Sequence, residues 1–222
     1  MNSKIWVIPV TILILVVIAW LFRWENAGQQ GNKTYHYDRW ISQGWVTVIS
    51  PTAFYEMPVL SSEELNIEQN NQISILGMKE ALDNNALIMR NDEQLNNDFQ
   101  RYEKKGIYLH YQLQAHDISI SNMSDEEKTI LDDYLVSKDH KGAFSDTYIN
   151  LKAAYDRYWK AYNDNKNLHN IAHDQAIQVL SKKAVSQRRL VSVGGTLLGL
   201  AALIWLIVFF VLSGKTSKHS EP

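Results

Sequence analysis

The sequence predicts a mainly α protein in which two transmembrane helices, one near each end, bracket a helical soluble domain that opens with a small β-hairpin. Three observations carry this. Two apolar runs, Ile5 to Phe22 and Val191 to Ser213, flank almost all of the charge. Capping pairs and helical spacing of apolar residues recur between them. One short stretch near the start of that region is instead rich in aromatic and β-branched residues.

Each run approaches the ~20 residues that a helix needs to cross ~30 Å of hydrocarbon. The first, 5–22, follows Lys4 and carries Trp6, Trp20 and Trp24 near its ends, where interfacial aromatics are expected. Bulky Trp20, Phe22 and Trp24 stand where a cleaved leader wants small residues, so an uncleaved anchor is expected. Pro9 falls near the first turn, which tolerates it. The remaining segments, 1–4 and 214–222, read as short tails.

Residues 23–33 read as a polar linker, and 34–190 as the soluble domain. Thr34 to Trp40 and Trp45 to Ile49, joined through Gly44 and closed by Pro51, predict the hairpin at 34–49. Beyond Pro58, three pairs have the spacing of a capping box: Ser61 with Glu64, Asn91 with Gln94 and Ser124 with Glu127. Helices are expected near 62–82, 92–104, 125–137, 146–163 and 167–190. Gly106 to Ile120 alternates at Ile107, Leu109, Tyr111 and Leu113, which reads as a short strand. No proline or cap separates Gln187 from Val191, so the last helix is expected to run on into the second apolar run, 191–213.

Composition excludes several functions. The chain has no cysteine, which rules out thiol catalysis, disulfides and cysteine metal sites. Its formal net charge of −2 argues against a nucleic-acid surface. No cofactor motif is visible; Gly214-Lys215-Thr216 resembles the end of a phosphate loop but lacks the preceding glycine, because Phe209 stands there.

Three side-chain patterns remain. Tyr148, Tyr155, Trp159 and Tyr162 share one helix face, either a partner-binding surface, since Tyr and Trp dominate interface hot spots, or a core face with hydroxyls at its rim. His169 and His173, one turn apart, are the weak metal candidates. The edge of an apolar stripe formed by Leu168, Ala172 and Ala176 is an ordinary place for them, and Asn170 replaces the glutamate of a zinc-protease motif. Gly195 and Gly199 form a small-x-x-x-small pair that lets membrane helices approach closely.

The expected function is that of a membrane-anchored scaffold or accessory subunit. Its expected partners are the lipid bilayer, other membrane or cytoplasmic proteins and further copies of itself. A ligand sensor signalling through the second span and an enzyme with residues dispersed in sequence are the alternatives. Arg23, Lys33, Lys182, Lys183, Arg188 and Arg189 lie on the domain side of the spans, against Lys4, Lys215 and Lys218 on the tail side, which predicts a cytoplasmic domain.

Overall fold

The computed structural model describes residues 7–217, with side chains as far as Val211. The expected tail 1–4, Trp6, and the side chains of Lys215 and Lys218 lie outside the described residues. The described residues are 73% helix and carry one four-stranded antiparallel sheet near their N-terminal end. Its elements are α1 (Val7–Leu21), β1 (Trp24–Gln30), β2 (Lys33–Asp38), β3 (Gln43–Ser50), β4 (Ala53–Val59), α2 (Ser62–Ile75), α3 (Lys79–Gln114), α4 (Asp125–Asp139) and α5 (Asp146–Ser217).

Two compact units divide the chain: unit 1 comprises residues 1–68 and 174–222, and unit 2 comprises 69–173. In unit 1 the strands pair in sequence order, β1-β2-β3-β4. The expected hairpin is its middle pair, with Tyr35 opposite Val46 and His36 opposite Trp45. The expected linker 23–33 is corrected to strand β1, whose polar residues Glu25 to Gln30 are tolerated because the strand is an exposed edge. β4 completes the sheet, with Pro58 on the opposite edge, where a missing N–H costs no ladder bond.

Unit 2 is helical, with a core of Leu109, Met123, Ile130 and Leu131 between α3 and α4. Ser124 opens α4 with a complete capping box, its hydroxyl accepting from the Glu127 N–H and the Glu127 side chain returning to the Ser124 N–H. Three expectations are corrected here. The helix expected at 62–82 breaks at Gly77, whose φ of +64° ends α2 before α3 begins. Asn91 and Gln94 lie inside α3, so the helix expected at 92–104 is part of a longer one. The strand expected from Gly106 is helical as far as Gln114: Gly106 and Leu109 are buried while Ile107, Tyr108 and Tyr111 are exposed, so burial follows helical spacing and not alternation.

The helices expected at 146–163 and 167–190 and the apolar run at 191–213 are one uninterrupted helix, α5. Within it one window has a mean hydropathy of 2.4 and is 6% buried, which makes α5 a candidate membrane span. α1 is equally apolar, but its 15 described residues reach only ~22 Å. The expectation of two spans is therefore met in part, by one helix long and apolar enough to cross a membrane among the described residues.

Candidate functional site

The most elaborate polar structure lies in unit 1, where α1 gives way to the sheet. Arg23 follows the last turn of α1, its N–H donating to the Trp20 carbonyl, and its side chain is only 2% exposed. Burying a guanidinium is costly unless a counter-charge fills its donors. Asp38, at the end of β2 and fully buried, supplies that charge: Arg23 Nη2 donates to Oδ2 at 2.6 Å, and Nε bridges both oxygens at 3.0 and 3.1 Å. The remaining arm, Nη1, donates to Ser192 Oγ of α5 at 2.8 Å. Trp20, Trp24 and Trp40 surround the guanidinium with ring centroids 5.8, 5.1 and 4.9 Å away, so π faces replace water on the sides that hydrogen bonds leave open. One side chain thus ties α1, the sheet and α5 together.

A second cation, Arg188 of α5, stacks on Trp24 at 4.8 Å and on Trp45 at 4.5 Å. Its Nη1 donates to Glu56 Oε2 at 2.6 Å, while the other Glu56 oxygen lies 2.6 Å from His36 Nε2. Burial raises the Glu56 pKa, but the hydrogen bonds from Arg188 and His36 outweigh it and hold the carboxyl below its usual range.

Beside this network, β3, β4 and α5 enclose an open groove of about 620 Å³. Val46, Met57, Pro58, Leu60, Ile177 and Val185 form its apolar wall. Lys182 and Arg189 stand at its edge, and neither meets a carboxylate among the described residues. Its one carboxylate, Glu56, is already engaged by Arg188 and His36. Such a site suits an amphiphile with a negative head.

The aromatic face is graded instead of uniform. Tyr148 is buried, stacked on Phe144 at 4.3 Å and edge-on to Phe99 at 5.5 Å, so it is core and is corrected as a partner-binding residue. Tyr155 and Trp159 are half-buried, and Trp159 has its indole N–H buried without an acceptor. Tyr162 is 43% exposed. The histidines do not converge: His169 is exposed, and His173 Nδ1 lies 3.4 Å from Gln69 Oε1. Among the described residues no group of three or more metal-ligating side chains gathers. Gly199 faces Val16 of α1, and a methyl group at Gly195 would lie 3.1 Å from Trp40 and 3.5 Å from Trp20, so both glycines face parts of this same chain.

Sequence reasoning missed Arg23, Asp38, Glu56 and Ser192 as a set. One signal was available, Trp20 and Trp24 flanking Arg23 at helical spacing. No protein-family model, curated protein or solved structure matches the chain.

Proposed function

We propose that the chain is a membrane-anchored scaffold or accessory subunit acting through protein–protein contact, with α1 and α5 as paired spans and the helical unit on the cytoplasmic side. The observation that carries this reading is α5 itself. A single helix begins among the packed aromatics of unit 2 and continues without a break into a segment whose apolar side chains stand exposed, Leu197, Leu200, Ile204, Ile207 and Phe210 among them. The core helix of a soluble protein is mostly buried, whereas the apolar window of α5 is 6% buried, so lipid is the natural cover. α1 supports the pairing: Pro9, Ile12, Leu13, Val16 and Ala19 form its buried or half-buried stripe, and Val16 meets Gly199. The open end of the aromatic face, Trp159 and Tyr162, is the proposed contact with a partner.

Because the chain has no cysteine, single introduced cysteines report cleanly on topology. A cysteine at Asn122 should react with a membrane-impermeant maleimide only after the cells are permeabilised; labelling of intact cells places the unit on the other side. A photo-crosslinking residue at Tyr162 should capture a protein that the same residue at Lys160 does not. Equal capture from both positions removes the aromatic face as the docking surface.

A further inference from the structure

The groove beside β3 and β4 has three properties that together define an occupant. Its wall is apolar, its free charges are positive, and it lies immediately before the part of α5 that enters lipid. Lys182 and Arg189 are seven residues apart, two turns of helix, so they share a face and their Cα atoms are separated by ~10 Å along the axis. Two long, flexible cations at that separation can converge on one phosphate. Arg189 stands ~3 Å before Val191 and Lys182 ~14 Å before it. The headgroup layer adds only ~5 to 8 Å on each side of the hydrocarbon. The pair therefore begins within the headgroups and reaches just beyond them.

We propose that this groove is a docking site for one anionic phospholipid of the membrane that α5 enters, its phosphate held between Lys182 and Arg189 and an acyl chain lying against Val46, Met57, Ile177 and Val185. The proposal rests on the membrane-anchored reading above. Charge complementarity selects the occupant: the groove's only carboxylate is paired with Arg188 and hydrogen-bonded to His36, so an incoming phosphate meets two cations and no free anion. Its volume of about 620 Å³ lies within the range of small-molecule sites and admits part of one lipid. Lys183 offers a built-in control, because it lines a different and more polar cleft with Gln43, Glu64 and Gln187.

The full chain, reconstituted in phosphatidylcholine vesicles containing a minor fraction of phosphatidylglycerol and extracted in mild detergent, is examined by native mass spectrometry. The wild type should retain one phosphatidylglycerol per chain in preference to phosphatidylcholine. Lys182→Gln with Arg189→Gln should lower that retention about tenfold or more, whereas Lys183→Gln, one positive charge fewer at a similar height, should leave it unchanged. Val185→Asp, on the exposed wall one turn from both Lys182 and Arg189, sets an anion between the two cations and in the acyl path and should lower it too. No preference in the wild type, equal loss with Lys183→Gln, or full retention with Val185→Asp overturns the proposal. Alkaline carbonate extraction keeps the two readings apart: a wild-type chain released from membranes refutes the anchor, while a chain that stays in the membrane and shows no lipid preference refutes the groove alone.

Discussion

The most deeply buried carboxylate of each unit, Asp38 in unit 1 and Asp133 in unit 2, meets the same problem with different chemistry. Asp38 in unit 1 is matched by a full positive charge, Arg23, together with the Trp40 N–H. Asp133 in unit 2, 2% exposed, receives only neutral donors: the Ser145 N–H at 2.7 Å, the Ser145 hydroxyl at 2.5 Å and the Tyr102 hydroxyl at 2.6 Å. The reason is geometric. Asp133 sits where α5 starts, so the unsatisfied N–H groups and positive end of a helix are already aimed at it. Asp38 ends the interior strand β2, and the charge that meets it is a side-chain cation, Arg23. A partner that is itself buried raises the stakes, because losing it strands a charge.

The comparison breaks most sharply at Arg23. Arg23→Met leaves Asp38 buried without its counter-charge and should cost about 3 to 5 kcal/mol, seen as early loss of hydrogen-exchange protection in β2 and β3 while α3 and α4 stay protected. Arg23→Met with Asp38→Leu should recover most of that loss, since the buried charge goes with its partner. If the double variant is no better than the single, the pair is not what the site contributes.

Unit 2 should break at a close approach instead. A methyl group on Gly106 would lie 2.8 Å from Tyr134 Cβ, which cannot swing away as the tip of a side chain can. Gly106→Ala should therefore destabilise the α3 and α4 pair by about 1 to 3 kcal/mol, measured by thermal unfolding, with unit 1 protection unchanged.

Titration separates the units without a large mutational loss. Burial, and then the hydrogen bond to Asp133, push the Tyr102 pKa up to about 12 from 10.0. A raised folded value means a contribution to stability that is complete below pH 10 and lost as pH rises through about 12. Tyr102→Phe should remove that alkaline limb and lower stability near neutrality by about 1.5 kcal/mol, two donors to Asp133 being left. Glu56 has the opposite sign. Its folded pKa lies below the ordinary 4.5, so its contribution is present above that pH and is lost as pH falls through the lower folded value. Glu56→Gln should flatten the acid limb of unit 1 and leave the alkaline limb of unit 2 alone. Both limbs vanishing in one variant would show that the units do not unfold separately.

What could be read in the sequence divides along similar lines. Signals completed within a few residues were legible: the capping box at Ser124, the existence of a hairpin at 34–49, though its strands pair as 34–38 with 43–47, and the absence of a stop before Val191. Signals that depend on a distant partner were not. Arg23 looks like a basic residue flanking a span until Asp38 and Ser192 meet it, 15 and 169 residues away. β1 has no apolar alternation because neither of its faces is covered. Ile107, Leu109, Tyr111 and Leu113 alternate by accident, since only tertiary packing decides that Gly106 and Leu109 face α4. Of the aromatic face, spacing grouped the residues correctly but could not say that Tyr148 would be taken by Phe144 and Phe99.

The separation of 169 positions from Arg23 to Ser192 also sets an order of assembly. Unit 2 is one continuous stretch, 69–173, and a ribosome delivers all of it before any of the rest of α5. The first apolar helix, the strands and Arg23 precede unit 2 in the chain, yet the third arm of that guanidinium has no acceptor until Ser192 of α5, 169 positions later, has been synthesised. Synthesis is slow beside hairpin and helix formation. Unit 1 is thus begun before unit 2 and closed after it, and Arg23 with Asp38 and the tryptophans must wait as an open clasp that the emerging α5 closes.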